Sequence, residues 1–414
     1  MLHAAGAMLA MLAMLAMLML AMASAAPMAA RPIVDVVYTH GRALGAADGS
    51  ATPPRTVHVI WDVDQSNAVS SSLPPQIINN RSASGTRNGG PGTGHGSAVN
   101  IYGNNGAFPS INAATGAVGN GGIPQLCNVS LHVATLRRDV AALVPDPSFH
   151  GVCLLDFEQL RADWNSTPSA QRTASVALAG NNDTALAQRQ YEAAAKVLFL
   201  ATIEALRALR PGCRIGWYGY PRNAPPHLLD AGFKALCRAH PEECTFDQGG
   251  TGNATAYTGP GAAAQRAIND SLDWLFAALD VVTPTVYLGI DSSEPGGDGD
   301  GGDGAADYVS STVREAVRVA RRAGKPAIAV VWLQYDSYYS GQGINKTAPR
   351  NLLLRGDLHT ELALPLLNGA SGLLIWGHAD NSSSPNGVDA YRRYAETVLQ
   401  PEITAICATY NCTQ

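Results

Sequence analysis

The chain has 414 residues, 46% of them hydrophobic and 15% charged, so it can bury a large core and is long enough for one barrel-sized domain. Its formal net charge of −5 at pH 7 argues against a general binder of polyanions such as nucleic acid. An anionic ligand would therefore need a local lining of basic side chains.

The N-terminal segment has the composition of a targeting sequence. Residues 1–26 are almost wholly Met, Leu and Ala, and the small residues at 23–26 offer a cleavage site. We interpret them as a secretory signal peptide, with no membrane anchor left after its removal. An uncleaved anchor is the alternative, because the apolar run reaches about 20 residues, the length of a spanning helix. Residues 27–55 are expected to form an irregular lead-in.

Sequons and cysteines agree with secretion. Nine Asn-x-Ser/Thr patterns predict a glycoprotein of an extracellular or lysosomal-type compartment, although some of these patterns arise by chance. They begin at Asn80, Asn128, Asn165, Asn182, Asn253, Asn269, Asn345, Asn381 and Asn411.

The seven cysteines allow disulfides but leave at least one thiol free or paired between chains. We expect the local pairs Cys237 with Cys244 and Cys407 with Cys412, and we interpret Cys153 as a core thiol. The cysteines and histidines lack metal-ligand spacing, so neither a metal nor another cofactor is expected.

Apolar periodicity and turn residues predict strands that alternate with helices. The predicted strands cover residues 56–61, 100–102, 151–158, 215–221, 281–288, 327–333 and 372–376. The predicted helices cover residues 131–143, 185–210, 267–279, 308–322, 359–367 and 391–399. This alternation indicates an α/β fold, and at this length a distorted TIM-like (β/α) barrel of seven to eight strands. We place the barrel at residues 56–402, before a C-terminal tail of residues 403–414.

Two low-complexity segments interrupt the pattern. Residues 79–99 are rich in Asn, Ser and Gly and are interpreted as a surface insertion. Residues 291–307 are rich in Gly and Asp, which allows a calcium loop, but the EF-hand spacing and its closing Glu are missing. A flexible insertion is therefore the favoured interpretation of this segment too.

The strand at 151–158 ends in two acids, Asp156 and Glu158. At positions i and i+2 of a strand, both carboxylates point to the same side. Tyr218, Tyr287 and Trp376 also lie at or near the C-terminal ends of predicted strands, where barrel enzymes keep their active sites. The alternative is a strand that simply ends in two solvated acids.

Several blocks resemble the hyaluronidases, glycoside hydrolase family 56. Together they span about residues 56–400, and their shared order and spacing make the resemblance specific. They are residues 121–126 (GGIPQL), 145–158 (PDPSFHGVCLLDFE), 216–221 (GWYGYP), 269–275 (NDSLDWL), 284–287 (PTVY) and 375–377 (IWG). The chain departs from the family pattern Asp-x-Glu-x-Trp-Arg-Pro, because Leu160 and Ala162 replace the Trp and the Pro while Arg161 is kept.

The resemblance implies a secreted, endo-acting hydrolase that cleaves β-linked N-acetylhexosaminides of hyaluronan or chondroitin. Such enzymes retain configuration and use the substrate's own acetamido group as nucleophile. Glu158 would be the general acid and would stay protonated beside a second carboxylate, which favours activity at acid pH. Asp156 would hold the acetamido nitrogen, and Tyr218 would donate a hydrogen bond to the acetamido carbonyl.

Substrate binding is implied for four further residues. Tyr287 and Trp376 would form flat walls against the sugar rings, and Arg161 and Arg222 would meet a uronate carboxylate. Core packing is the alternative for the two aromatic residues, and a structural or solvated role is the alternative for the two arginines. The expected partner is a polysaccharide, and the expected state is a monomer.

Two other functions remain open at this point. A chitinase-like hydrolase of a neutral N-acetylhexosamine polymer shares the acetamido chemistry, but its signature needs an Asp where Leu154 stands. A catalytically inactive carbohydrate-binding or adhesion protein could use the same barrel, although both acids are present.

Overall fold

The computed structural model describes residues 56–63, 78–79, 98–102, 105–112, 115–222, 257, 262–288, 303–335, 352–377 and 393–413. Over these ranges, strands and helices alternate as the sequence predicts. The strands are β1 Thr56–Val63, β2 Ile78–Asn79, β3 Ala98–Tyr102, β4 Ser110–Ile111, β5 Val118–Gly119, β6 Val152–Asp156, β7 Arg214–Trp217, β8 Ile328–Trp332, β9 Gly372–Gly377 and β10 Asn411–Thr413. The helices are α1 Val129–Leu143, α2 Ser169–Ala179, α3 Thr184–Leu209, α4 Ala262–Ser271, α5 Asp273–Ala278, α6 Asp303–Ala323, α7 Arg355–Leu367 and α8 Gln400–Thr409, with a π-helical turn at Ala395–Leu399 before α8.

The long strands form two parallel sheets. One has the order β10-β1-β9-β8, with β2 beside β1, and the other has the order β3-β6-β7. The parallel register places Trp332 opposite Trp376 in the first sheet and Leu155 opposite Trp217 in the second. Parallel order brings the C-terminal ends of the strands within each sheet to the same edge.

The segment 281–286 lies between the two sheets and bonds to both. Thr283 bridges to Tyr218 after β7, and Thr285 bridges to Val330 of β8. Pro284 has no N–H to donate to a ladder, which explains why the strand predicted at 281–288 appears as isolated bridges. Within the described ranges, the strands do not close into one continuous hydrogen-bonded barrel, so the predicted barrel is observed only in part.

The strands are buried on both faces. In β8, Ala329 and Val331 belong to the large core that also contains the helix side chains. The intervening Ile328, Val330 and Trp332 join a separate cluster on the opposite face. That inner cluster consists of Ile60, Ala98, Val152, Val281, Tyr287, Ile328, Val330, Trp332 and Leu374, with Tyr218 and Trp376 packed against it. The period-2 alternation thus divides one apolar run between two cores.

Helix α2 is absent from the sequence prediction. Its two buried positions carry Gln171 and Ser175 instead of apolar residues, so the usual periodicity is missing. The predicted helices are present with shifted ends, except that the one predicted at 267–279 is divided into α4 and α5. Helix α3 begins where the Asp183 carboxylate accepts a hydrogen bond from the Leu186 N–H at 2.8 Å.

The disulfides confirm one cysteine prediction and correct another. Cys407 pairs with Cys412 as expected. Cys153 is not a core thiol, because it is bonded to Cys213, 60 residues along the chain and 5.7 Å away between Cα atoms. The two residues come together because β6 and β7 are adjacent strands. The spacing of the cysteines in the sequence does not predict that pairing. Cys127 is free, and Cys237 and Cys244 lie outside the described residues.

The C-terminal residues add to the first sheet. Helix α8 is followed by β10, which pairs in parallel with β1 from Thr56↔Asn411 to His58↔Thr413. All described residues belong to the compact unit Ala43–Gln414. None of the described helices combines the length and the hydrophobicity needed to cross a bilayer. The predicted signal peptide (1–26), the lead-in (27–55), the segment 291–302 and most of 79–99 lie outside the described residues, whereas residues 303–307, predicted as part of the second insertion, belong to α6.

Candidate active site

Asp156 is the last residue of β6 and is 6% exposed. The Asn100 side-chain amide, on the neighbouring strand β3, donates a hydrogen bond to its Oδ2 at 3.2 Å. The side-chain amide of Asn105 donates to the main-chain carbonyl of Asp156. Both the carboxylate and the backbone at the end of β6 are therefore held by side chains of the β3 region.

Glu158 follows two residues later and is half-buried, but it lies in the turn after β6 and not in the strand, which was predicted to continue to residue 158. Between the two acids, Phe157 stacks on Phe108 with ring centroids 4.2 Å apart and an interplanar angle of 14°. Phe108 in turn packs against Trp217 and His132. The ring between the acids is thus anchored in the large core, which fixes the backbone that presents both carboxylates.

Tyr218 lies directly after β7, and its N–H donates to the Leu155 carbonyl at 2.9 Å. Burial, reinforced by Tyr287, Glu158 and Asp156, raises the pKa of Tyr218 well above its ordinary value. Burial also raises the pKa of Tyr287, and the same two carboxylates add to this effect while a hydrogen bond with Tyr218 opposes it. Both acids therefore lie close to both tyrosine hydroxyls, and those hydroxyls remain protonated donors through neutral pH.

Three further aromatic rings pack in succession from Tyr218. The Tyr287 and Trp376 rings stack with centroids 6.2 Å apart at 17°, and Tyr287 lies 6.1 Å from Tyr218. Trp332 lies 5.4 Å from Tyr287 and 4.9 Å from Trp376. Tyr218, Tyr287, Trp332 and Trp376 together form what we name the aromatic wall. Flat rings of this kind match the apolar faces of pyranose sugars.

Arg161 is almost fully buried, with 4% of its surface exposed. Burial and the neighbouring Arg222 lower its pKa to about 10, while Tyr220, Glu158 and Asp163 act in the opposite direction. Arg222 is half-buried, and its carbonyl accepts a hydrogen bond from the Tyr257 hydroxyl. The Arg161 guanidinium therefore interacts with both the Arg222 guanidinium and the Glu158 carboxylate.

The residues that depart from the family pattern are part of the core. Leu160 is fully buried and Ala162 is 1% exposed. The Ala162 N–H donates to the Tyr220 hydroxyl at 3.0 Å, a bond that a proline at this position could not make. In this chain the loop after the acids is braced by that hydrogen bond.

The structure thus brings Asp156, Glu158, Tyr218, Tyr287 and Trp376 into one neighbourhood, with Arg161 near Glu158 and Arg222 near Arg161. Sequence reasoning missed Asn100, Trp332 and the buried Glu361 of α7. Trp332 had a usable signal, since it is an aromatic residue near the end of a predicted strand. Asn100 had a weaker one, as a polar residue in an otherwise apolar short strand. Within the described ranges, no three His, Cys, Asp or Glu residues converge closely enough to hold a metal ion.

Comparisons with known proteins agree with the resemblance. A family model described as Hyaluronidase, of glycoside hydrolase family 56, matches residues 51–414. Hyaluronidase-1 of Homo sapiens is 27% identical over 302 residues, which cover 68% of this chain and 59% of the human protein. Hyaluronidase of Apis mellifera is 26% identical over 310 residues, which cover 70% of this chain and 69% of the bee protein.

The fold has a counterpart among solved structures. Bee venom hyaluronidase in complex with a hyaluronic acid tetramer superposes with a TM-score of 0.64 and 23% identity, over 85% of this chain and 99% of that chain. The chain spans 59% of the human relative's length, and the likeness to the bee structure shows the fold alone. By the match over residues 51–414, this chain belongs to the hyaluronidase family, glycoside hydrolase family 56.

Proposed function

We propose that this protein is a secreted, endo-acting glycoside hydrolase that cleaves β-linked N-acetylhexosaminide bonds of hyaluronan or chondroitin with retention of configuration. The observation that carries the proposal is the pair Asp156 and Glu158 at the end of β6, close enough to Tyr218 and Tyr287 to perturb both pKa values. Acetamido-assisted cleavage requires two acids, a protonated hydroxyl and a surface for the sugar rings. This site combines such groups.

In the proposed mechanism, Glu158 protonates the glycosidic oxygen as the bond breaks. The carbonyl oxygen of the substrate's acetamido group attacks the anomeric carbon, and an oxazolinium ring forms without a protein nucleophile. Asp156 accepts a hydrogen bond from the acetamido nitrogen and balances the positive charge that develops on the ring. Glu158 then acts as a base and activates the water that opens the ring.

Tyr218 is proposed to orient the acetamido carbonyl. Its pKa is raised by burial and by the neighbouring groups, so it donates a hydrogen bond across the pH range in which Glu158 can work. Holding the carbonyl near the anomeric carbon converts a flexible substrate into a near-attack geometry.

The aromatic wall is proposed to bind sugar faces, while the Arg161 and Arg222 pair attracts a uronate carboxylate. We further infer that the described strands belong to one distorted (β/α) barrel of seven to eight strands, with 56–402 as its extent. Support comes from the segment 281–286, which bonds to both sheets, and from the inner cluster shared by strands of both. Secretion after cleavage of residues 1–26, and action as a monomer, belong to the same proposal.

A neutral N-acetylhexosamine polymer is the second candidate substrate. The observation that favours it is the burial of Arg161, since a guanidinium that is 4% exposed offers little contact to a uronate. Tyr218 and Trp376, the two half-buried rings of the aromatic wall, carry no charge and would suit either polymer.

The decisive test is a polysaccharide panel of hyaluronan, chondroitin and chitin oligomers, with products measured by size. Endo-cleavage of a glycosaminoglycan by the wild-type protein, reduced by orders of magnitude in Glu158→Gln, is expected. Cleavage of chitin oligomers alone would select the second candidate. Binding without cleavage of any polymer would overturn hydrolysis in favour of a carbohydrate-binding role.

A further inference from the structure

A carboxylate outside the proposed catalytic set joins two parts of the aromatic wall. Glu361 lies on α7 and is fully buried, with 0% of its surface exposed. Its Oε1 accepts a hydrogen bond from the Leu288 N–H at 2.9 Å, and its Oε2 accepts one from the Trp332 N–H at 3.3 Å. One side chain therefore uses both oxygens on two main-chain segments that are distant in sequence.

Both donors belong to residues that set the position of wall rings. The Leu288 N–H lies in the peptide that follows Tyr287, and the Trp332 N–H lies on the last residue of β8. The Tyr287 and Trp332 rings are 5.4 Å apart, and both pack near Trp376. The carboxylate consequently ties the backbone beneath one ring to the backbone beneath the next.

Packing alone would not select an acid at this position. A buried carboxylate is stable only when its oxygens find donors, and an apolar residue would fill the same space without desolvating a polar group. Burial raises the pKa of Glu361 well above its ordinary value, and the two N–H donors act in the opposite direction. The two hydrogen bonds are thus what an acid provides here and an apolar side chain does not.

We propose that Glu361 is a positioning residue for the sugar site, which sets the spacing between the Tyr287 and Trp332 rings through the main chain. The inference rests on the proposed function for its link to sugar binding. The geometry of the two rings does not depend on the proposed function and is measured separately, by near-ultraviolet circular dichroism.

The test compares Glu361→Gln and Glu361→Leu with a matched control, Glu402→Gln. Gln keeps the shape and one acceptor, whereas Leu removes both. Glu402 is also a buried acid that bonds to α7, but its partners are the exposed side chains of Arg355 and His359 and not main-chain groups of the aromatic wall. The control therefore reports the general effect of losing a buried carboxylate that braces α7.

For the polymer that the wild type cleaves, Glu361→Gln is expected to raise KM about five- to tenfold, the effect of roughly one lost hydrogen bond, with kcat little changed. Glu361→Leu should raise KM further. In both variants, near-ultraviolet circular dichroism should lose the signal of the closely packed rings, while Glu402→Gln should keep the wild-type KM and spectrum.

A wild-type KM and an unchanged near-ultraviolet spectrum in Glu361→Gln would overturn the inference. So would equal changes in Glu402→Gln, because they would assign the effect to α7 as a whole. If the wild-type protein cleaves no polymer, the proposed function fails while the spectra still decide the positioning role. If Glu361→Leu does not fold, the Gln variant decides alone.

Discussion

The Asn100 side chain donates a hydrogen bond to the Asp156 carboxylate at 3.2 Å, between neighbouring parallel strands. A donor fixed on one oxygen stabilises the ionised form of the acid and limits its rotation. Asn100→Ala is expected to lower kcat/KM about tenfold, as for the loss of a hydrogen bond to a charged group.

Asn100→Asp tests the electrostatic part of the same relationship. A second carboxylate beside Asp156 disfavours ionisation of the pair, so the acid limb of the pH–rate profile should move to higher pH. Steady-state kinetics across pH would measure both variants, with the exposed loop substitution Asn112→Ala as control. Unaltered profiles in both Asn100 variants would contradict a role for this contact.

His132 gives the fold a specific sensitivity to acid. It is fully buried and bonds through Nε2 to Thr202 Oγ1 at 2.9 Å. Burial lowers its pKa to about 4, against small opposing effects of the Ala107 carbonyl and Asp139. When the pH falls below about 6.5, the ordinary pKa of histidine, the unfolded chain binds a proton at His132. The folded protein binds that proton only near pH 4.

Stability contributed by neutral His132 is therefore present above about pH 6.5 and is lost as the pH falls toward 4, by about 3 kcal/mol in all. Urea unfolding at several pH values would measure this slope. His132→Gln should flatten it, whereas the exposed substitution His150→Gln should leave it as in the wild type. Parallel slopes in all three proteins would refute the assignment.

The two disulfides should contribute unequally to stability. In the chain-entropy model, the Cys153–Cys213 bond, with a sequence separation of 60, constrains the unfolded chain by about 4 kcal/mol. The Cys407–Cys412 bond, with a separation of 5, constrains it by about 2 kcal/mol. Denaturant unfolding of the two double Cys→Ala variants would measure the difference, and a larger loss from the short loop would contradict this order.

The sequon at Asn269 is predicted to remain unglycosylated. Asn269 is 1% exposed, and its Nδ2, the atom to which a glycan attaches, donates to Glu315 Oε1 at 2.8 Å and to the Tyr257 hydroxyl at 3.2 Å. Asn165 and Asn182 are exposed and serve as controls. Peptide mapping of the protein made in a glycosylating host, after enzymatic deglycosylation, would show occupancy at each site. A glycan on Asn269 would contradict this packing.

The Asn269 contacts also show why a local pattern can mislead. The sequon is complete in the sequence, but the Glu315 side chain that occupies its nitrogen comes from α6, 46 residues later. The same limit applies to Cys153, whose partner is set by the β6–β7 pairing, and to Trp332, whose place in the aromatic wall follows from its register with Trp376.

The sequence by itself determined the features that depend on short-range periodicity: the buried run of β6, the acid pair Asp156 and Glu158, and the alternation of strands with helices. These follow from the 2.0 and 3.6 residue periods and from turn residues, all of which act within one segment. Only the tertiary structure decided which side chains brace the site. Asn100 bonds to the Asp156 carboxylate, 56 residues away, and Glu361 bonds to main-chain groups 29 and 73 residues away, and such contacts exist only after the sheets and helices have packed.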